Sequence, residues 1–193
     1  AAVEALCEGK RAVVLGPGMG LDAVGRDWAL AFARYAPIPS VVDADAITHL
    51  ADAGLASLGE AAAPRILTPH PGEAARLLRC ATRDVQRDRY AAAGALAKGS
   101  GQVVILKGAR SIVAAGVELR VCAEGTPALG VAGTGDVLGG VVGALAMALD
   151  PRDAAIAGAL LHALAGVEAS VGDRGLMASE VADAIPVVLD HLV

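Results

Sequence analysis

The sequence predicts an α/β fold whose mainly parallel sheet is covered by helices on both faces. Three observations lead there. Short strand-like runs alternate with longer helical ones along the chain. Several of those runs, such as VVL and VVIL, are continuously apolar, as strands buried on both faces must be. Polar or glycine-rich sequences then follow the strands, where open α/β sheets bind their ligands.

The elements follow in order. Arg11–Leu15 reads as the first strand. Asp22–Ala36 is a helix that stops before Pro37, because the residue ahead of a proline avoids helical geometry. Ser40–Val42 is a second strand, and Asp45–Ala53 a helix ended by Gly54. Arg65–Leu67 is a third strand, followed by helices over Gly72–Arg79 and Asp84–Gly99. Gln102–Leu106 is a strong strand, and Ser111–Ala115 with Glu118–Val121 forms a hairpin around Gly116. Three helices close the chain: Gly135–Leu149, Arg152–Val171 and Ser179–Val193. Asp150-Pro151 separates the first two, and Ser179 is suited to cap the last.

Composition narrows the function. At 193 residues the expectation is one domain, 1–193. Hydrophobic residues make up 55% and charged ones 19%, which excludes intrinsic disorder. A net charge of −5 and a pI near 5.3 argue against nucleic acid as a partner. The aromatics, Trp28, Phe32, Tyr35 and Tyr90, are too few for a base-stacking platform. Cys7, Cys80 and Cys122 are far apart, which points to reduced thiols and a cytoplasmic setting rather than a disulfide framework or zinc site. The longest apolar run, Val137–Leu149, has 13 residues, short of the roughly 20 that span a bilayer, so no membrane association is expected. Apolar helices favour a homo-oligomer, with a tetramer among the forms considered.

Five motifs carry the chemistry. Gly16-Pro17-Gly18-Met19-Gly20 follows the first strand and is either a tight turn or a loop bringing amides to a phosphate. Leu21 stands where a dinucleotide turn wants a third small residue, which weakens a Rossmann reading. Asp43-Ala44-Asp45 offers two carboxylates for Mg²⁺ through water or for sugar hydroxyls, though Asp45 serves equally as a helix cap. Thr68-Pro69-His70-Pro71-Gly72-Glu73 is a loop fixed by two prolines that presents His70, with Glu73 in the next helix's first turn. Lys107-Gly108-Ala109-Arg110-Ser111 suits phosphate contact, although a lone lysine is ordinarily a surface residue. The most specific signal is GVAGTGDVLGG, Gly130–Gly140: a glycine loop running into an apolar helix makes an anion site from amides. Asp136 sits there in an apolar run, read as a buried carboxylate that either caps the helix or acts as a general base. His162, in the following helix, reads as a core or interface histidine rather than a catalyst.

Taken in this order, GPGMG, DAD, TPHPGE, LKGARS and GTGDVLGG resemble the carbohydrate-kinase-like NAD(P)H-hydrate dehydratase family of the ribokinase-like superfamily. The resemblance runs over roughly residues 10–170, and TPHPGE with GPGMG separates this family from the sugar kinases. It implies a three-layer α/β/α sandwich and an ADP- or ATP-dependent, Mg²⁺-assisted dehydration of hydrated NADH or NADPH through phosphorylation and elimination. Asp136 would activate the hydroxyl, and Gly133, Thr134 and Gly135 would form the anion hole. Lys107, Gly108, Ala109, Arg110, Ser111 and Gly135 would line the nucleotide site. Gly16, Gly18, His70 and Asp136 would meet the hydrated dinucleotide, and Glu73 and Asp43 would serve Mg²⁺, directly or through water. NAD(P)H-hydrate epimerase is the implied functional partner. Two departures stand out: Thr126 replaces the asparagine usual before GTGD, and the fold is expected to be short at its N-terminus. A small-molecule kinase of the same fold, or a nucleotide-binding remnant without activity, is the alternative reading.

Overall fold

The structure, a computed structural model, describes residues 2–192. Six strands form one sheet in chain order: β1 (Val13–Leu15), β2 (Ser40–Val42), β3 (Arg65–Leu67), β4 (Val103–Leu106), β5 (Ile112–Ala115) and β6 (Glu118–Val121). The first four run parallel, with Val14 beside Val41 and Val41 beside Ile66. The last two are antiparallel, joined by a turn at Gly116.

Helices cover both faces, and the period-2 alternation of the strands sorts the core between them. Val42, Leu67, Val104 and Leu106 point to one side. There they pack on α2 (Ala23–Tyr35), α3 (Ala44–Ala53), α4 (Pro71–Leu78), α5 (Thr82–Arg87) and α6 (Arg89–Ser100). Val41, Ile66, Ile105 and Val113 point to the other side, against α7 (Thr134–Leu145) and α8 (Pro151–Ala169). A last helix, α9 (Ala178–Leu192), packs on α8 through Val181, Ala184 and Val188. Small side chains let these layers approach closely. A Cβ on Gly158 would lie 2.6 Å from Val142, and one on Gly143 would lie 3.0 Å from Val14. Among the described residues no helix is long and apolar enough to cross a membrane.

Several element bounds differ from expectation by a residue or two, among them β1, which begins at Val13, and α8, which ends at Ala169; the larger differences are these. The stretch expected as one helix, Asp84–Gly99, is two, because Asp88 leaves helical geometry and its carboxylate accepts from the Ala91 amide. Helix α7 stops at Leu145 instead of Leu149. Ser179 lies inside α9 rather than capping it, and the Glu180 carboxylate takes the Met177 amide instead. The expected end of that helix, Val193, lies outside the described residues. A short helix α1 (Ala2–Cys7), unmarked by any cap signal, packs Val3 and Cys7 on Ala36.

Candidate active site

The carboxyl ends of β1–β4 and the amino end of α7 meet at one edge of the sheet. After β1 the chain turns through Gly16, Gly18 and Gly20, all at positive φ. Gly16 touches the next loop so closely that a Cβ there would lie 1.8 Å from the Asp43 carbonyl oxygen. The Gly20 amide donates to Asp45 Oδ2 at 2.8 Å, and His49 Nε2 bonds the Gly20 carbonyl at 2.9 Å. Asp45 therefore holds the glycine loop instead of capping its own helix. Gly18 stands in open space.

Asp43 occupies the cap position of α3 but makes no capping bond. Its buried carboxylate instead receives Lys107 Nζ at 2.6 Å. Lys107 follows β4, so its stem crosses the end of β3 to reach it. The side chain is thus not the ordinary surface lysine that a lone KG pair also allows: it is only 19% exposed. Glu73 Oε2 flanks the same ammonium at 4.0 Å.

His70 and Glu73 close a capping box on α4. His70 Nδ1 accepts from the Gly72 and Glu73 amides, and Glu73 Oε2 accepts from the His70 amide at 2.7 Å. With Nδ1 used as acceptor, the neutral ring carries its proton on Nε2, 3.4 Å from Glu73 Oε1. Burial pushes the Glu73 carboxyl up, against the pull of Lys107 and the His70 amide.

The amino end of α7 is built from backbone. Gly133, at φ 89°, is its cap residue and has no side chain to offer. The Asp136 and Val137 amides are taken by the Gly133 carbonyl, while those of Thr134 and Gly135 have no backbone acceptor among the described residues. Thr134 Oγ1 is turned away, 2.8 Å from the Leu129 carbonyl and 2.9 Å from that of Val131. Its contribution to an anion site is its amide alone. Asp136 departs from expectation. It is exposed, neither buried nor capping, and its side chain makes no bond within the described residues. The helical turn projects it out of the layer in which Leu138 and Val142 are buried.

A cleft of about 550 Å³ opens beside this edge. Its walls are the whole Lys107–Ser111 loop, the segment 122–127, Thr134 and Gly135 of α7, and His162 of α8. Gly16, Gly18 and His70 lie outside its lining, as do Gly133 and Asp136, and the Asp43–Lys107–Glu73 line connects the cleft to the loops after β2 and β3. Thr126, in place of asparagine, caps the short turn Pro127–Leu129 through its hydroxyl.

Two residues carry more than their local sequence suggested. His162 Nε2 lies 2.8 Å from the Thr134 carbonyl, fixing the first peptide of α7, and burial lowers its pKa. Arg89 props the Lys107–Ser111 loop, its guanidinium donating to the carbonyls of Leu106, Lys107 and Ala109. An arginine opening a helix carries no local signal for that.

The residues expected to serve magnesium have other partners. Asp43 is held by Lys107, and Glu73 by His70 and Lys107. Among the described residues no three acidic, histidine or cysteine side chains cluster as metal ligands do. The donors present therefore do not form a resident magnesium site.

A family model described as NAD(P)H-hydrate dehydratase matches residues 2–186. The chain belongs to the NAD(P)H-hydrate dehydratase family. One relative is the ADP-dependent (S)-NAD(P)H-hydrate dehydratase of Neisseria meningitidis serogroup B, 42% identical over 175 residues, covering 88% of this chain and 59% of that protein. The bifunctional NAD(P)H-hydrate repair enzyme of Vibrio cholerae is 42% identical over 172 residues, covering 88% of this chain and 34% of that protein. The chain thus spans about a third of the length of such bifunctional relatives. The ADP/ATP-dependent NAD(P)H-hydrate dehydratase of Bacillus subtilis, co-crystallized with ATP/Mg²⁺ and soaked with CoA, superposes with a TM-score of 0.84 at 27% identity, covering 95% of this chain and 67% of that one. The family fold is therefore the ribokinase-like α/β sandwich expected from the motifs.

Proposed function

We propose that this chain carries the site for ADP- or ATP-dependent dehydration of hydrated NADH or NADPH. One observation carries the reading: an ammonium, Lys107 Nζ, lies where a Cβ on Gly135 would be only 3.4 Å away, at the amide end of α7 and on the wall of a nucleotide-sized cleft. A cation beside free helix amides is what a transferring phosphoryl group requires.

In this reading the nucleotide lies along Lys107, Gly108, Ala109, Arg110 and Ser111, with its terminal phosphoryl at Gly133, Thr134 and Gly135. The hydrated ring enters from the side of Gly16, Gly18 and His70, where the tautomer of His70 offers an N–H donor. Asp136 takes the proton from the substrate hydroxyl, whose oxygen attacks the terminal phosphorus. The bond to the bridging oxygen breaks, releasing AMP from ADP or ADP from ATP. The new phosphate ester then leaves the ring with the C–O electron pair, a proton is lost from the adjacent carbon, and the ring double bond is restored. Asp136 is exposed and its side chain makes no bond among the described residues, so no other group competes with the substrate hydroxyl for it. Magnesium belongs to the reading as the nucleotide's own counter-ion, held by phosphates and water.

The family relationship supports the reaction, and the Neisseria and Bacillus proteins are named for it. Exposed apolar residues on α8 and α9, Leu160, Val167, Val187 and Leu189, support a homo-oligomer. The cytoplasmic setting rests on three free cysteines, and the epimerase partnership on the family resemblance. The test is recovery of 340 nm absorbance from hydrated NADPH with ADP or ATP. Recovery is expected with a nucleotide and not without one. Nucleotide binding in a calorimeter without any recovery would overturn the dehydratase reading and leave the kinase and the non-catalytic ones.

A further inference from the structure

The Asp43–Lys107 pair poses a problem that its usual description as an ion pair leaves unanswered. Lysine carries a point charge on a flexible stem, with no geometry of its own. Here the charge sits beside the amide end of a helix, which is itself a positive pole. Two positive poles repel, so before any phosphate binds, the ammonium would favour the open cleft. Instead it turns inward. Asp43 Oδ1 holds it at 2.6 Å, and the Asp43 residue is 1% exposed. The other carboxylate oxygen faces α7, 3.6 Å from where a Cβ on Gly135 would stand. Glu73 adds a second carboxylate 4.0 Å from the ammonium. A Cβ on Gly135 would stand in ordinary contact with both charges, 3.4 Å from Lys107 Nζ and 3.6 Å from Asp43 Oδ2, so the pair lies against the first turn of the helix.

We infer that Asp43 is a positioning residue: it holds the Lys107 ammonium at the first turn of α7, so that charge and helix amides face the same phosphoryl group. The inference rests on the dehydratase reading for its consequence in turnover, but not for the geometry itself. Asp43 needs no contact with substrate. Its effect passes entirely through Lys107, and that makes it separable from a residue that only supports the fold.

The test is a double-substitution cycle, read alongside the lysine ammonium signals. Lys10, Lys98 and Lys107 are the only lysines, and the first two are exposed. A ¹⁵N-lysine label therefore gives one slowly exchanging ammonium signal in the wild-type protein if the inference holds, and none if it does not. That measurement needs neither a variant nor turnover. Asp43→Asn should abolish the signal and lower kcat at least about tenfold, while the calorimetric Kd for ADP moves less than about threefold. In a Lys107→Met background the same substitution should change kcat by less than about twofold. An equal loss in both backgrounds, or a protected signal that survives Asp43→Asn, overturns the inference. Wild-type protein with a protected signal but no NADPH recovery would sink the dehydratase reading and leave the positioning intact.

Discussion

The molecule buries cationic side chains at both ends of its sheet and handles them in opposite ways. At the carboxyl end, Lys107 is matched by carboxylates, Asp43 and Glu73, next to an open cleft. At the amino end, Arg65 opens β3 with no exposure and no carboxylate partner among the described residues. Its guanidinium donates to the carbonyls of Ala33, Ala36, Ile38 and Pro64, closing the end of α2 and the turn after it. Burial lowers its pKa to about 10. A counter-ion can be exchanged for another anion, such as phosphate. A ring of carbonyls fixed by the backbone cannot. The first arrangement suits a site that works on anions, and the second suits a permanent joint.

This contrast predicts that substitutions at the two ends separate activity from stability. Asp136→Ala should have the largest effect, lowering kcat by about 10²–10⁴ with the melting temperature unchanged within a degree or two. Unaltered turnover would remove Asp136 from the mechanism. Arg65→Met should do the reverse, leaving the carbonyls of α2 unpaired and reducing stability by about 3 kcal/mol, with active-site kinetics of the folded fraction preserved. A thermal melt lower by roughly 6–12 °C is the corresponding readout. Gly16→Ala sharpens the boundary between the ends, because a Cβ there collides with the Asp43 carbonyl at φ 122°. It should reduce stability by about 2 kcal/mol and disturb turnover as well, since the displaced loop carries Asp43.

The smallest effect concerns pH. Burial holds the His162 pKa below its ordinary value of about 6.5, so the unfolded chain takes up this proton first as the solution is acidified. The contribution to stability is complete above about pH 6.5 and is lost as pH falls through the folded-state pKa. His162→Gln should flatten that segment of a denaturation-against-pH profile. An unchanged slope would assign the acid sensitivity elsewhere.

Much of this layout is readable in the chain because it depends on local rules. Continuous apolar runs such as Val103–Leu106 are strands, and Glu73 falls in the first turn of the helix that follows TPHPGE, as read. What escapes is set by contacts between distant segments. Nothing near Lys107 announces a buried carboxylate 64 positions away, and nothing near Asp45 announces that it will take the Gly20 amide. Asp136 misleads in the opposite sense: its apolar neighbours suggest burial, while the 3.6-residue turn directs it outward. The motifs locate the candidate site, and tertiary packing alone decides which of their side chains are paired and which stay free.

The sheet's strands are ordered as they are synthesised, and that has a consequence for assembly. Each new strand meets its neighbour as it leaves the ribosome, so β1–β4 can pair progressively with modest loop-closure entropy. Helix α7, however, must return across more than 120 residues to lay Gly139 and Gly143 on Val14. Until it does, one face of the nascent sheet is bare, and the amides meant for phosphate do not yet face Lys107. The candidate site is therefore completed late in folding, and the interval before it is when a chaperone has an apolar surface to protect.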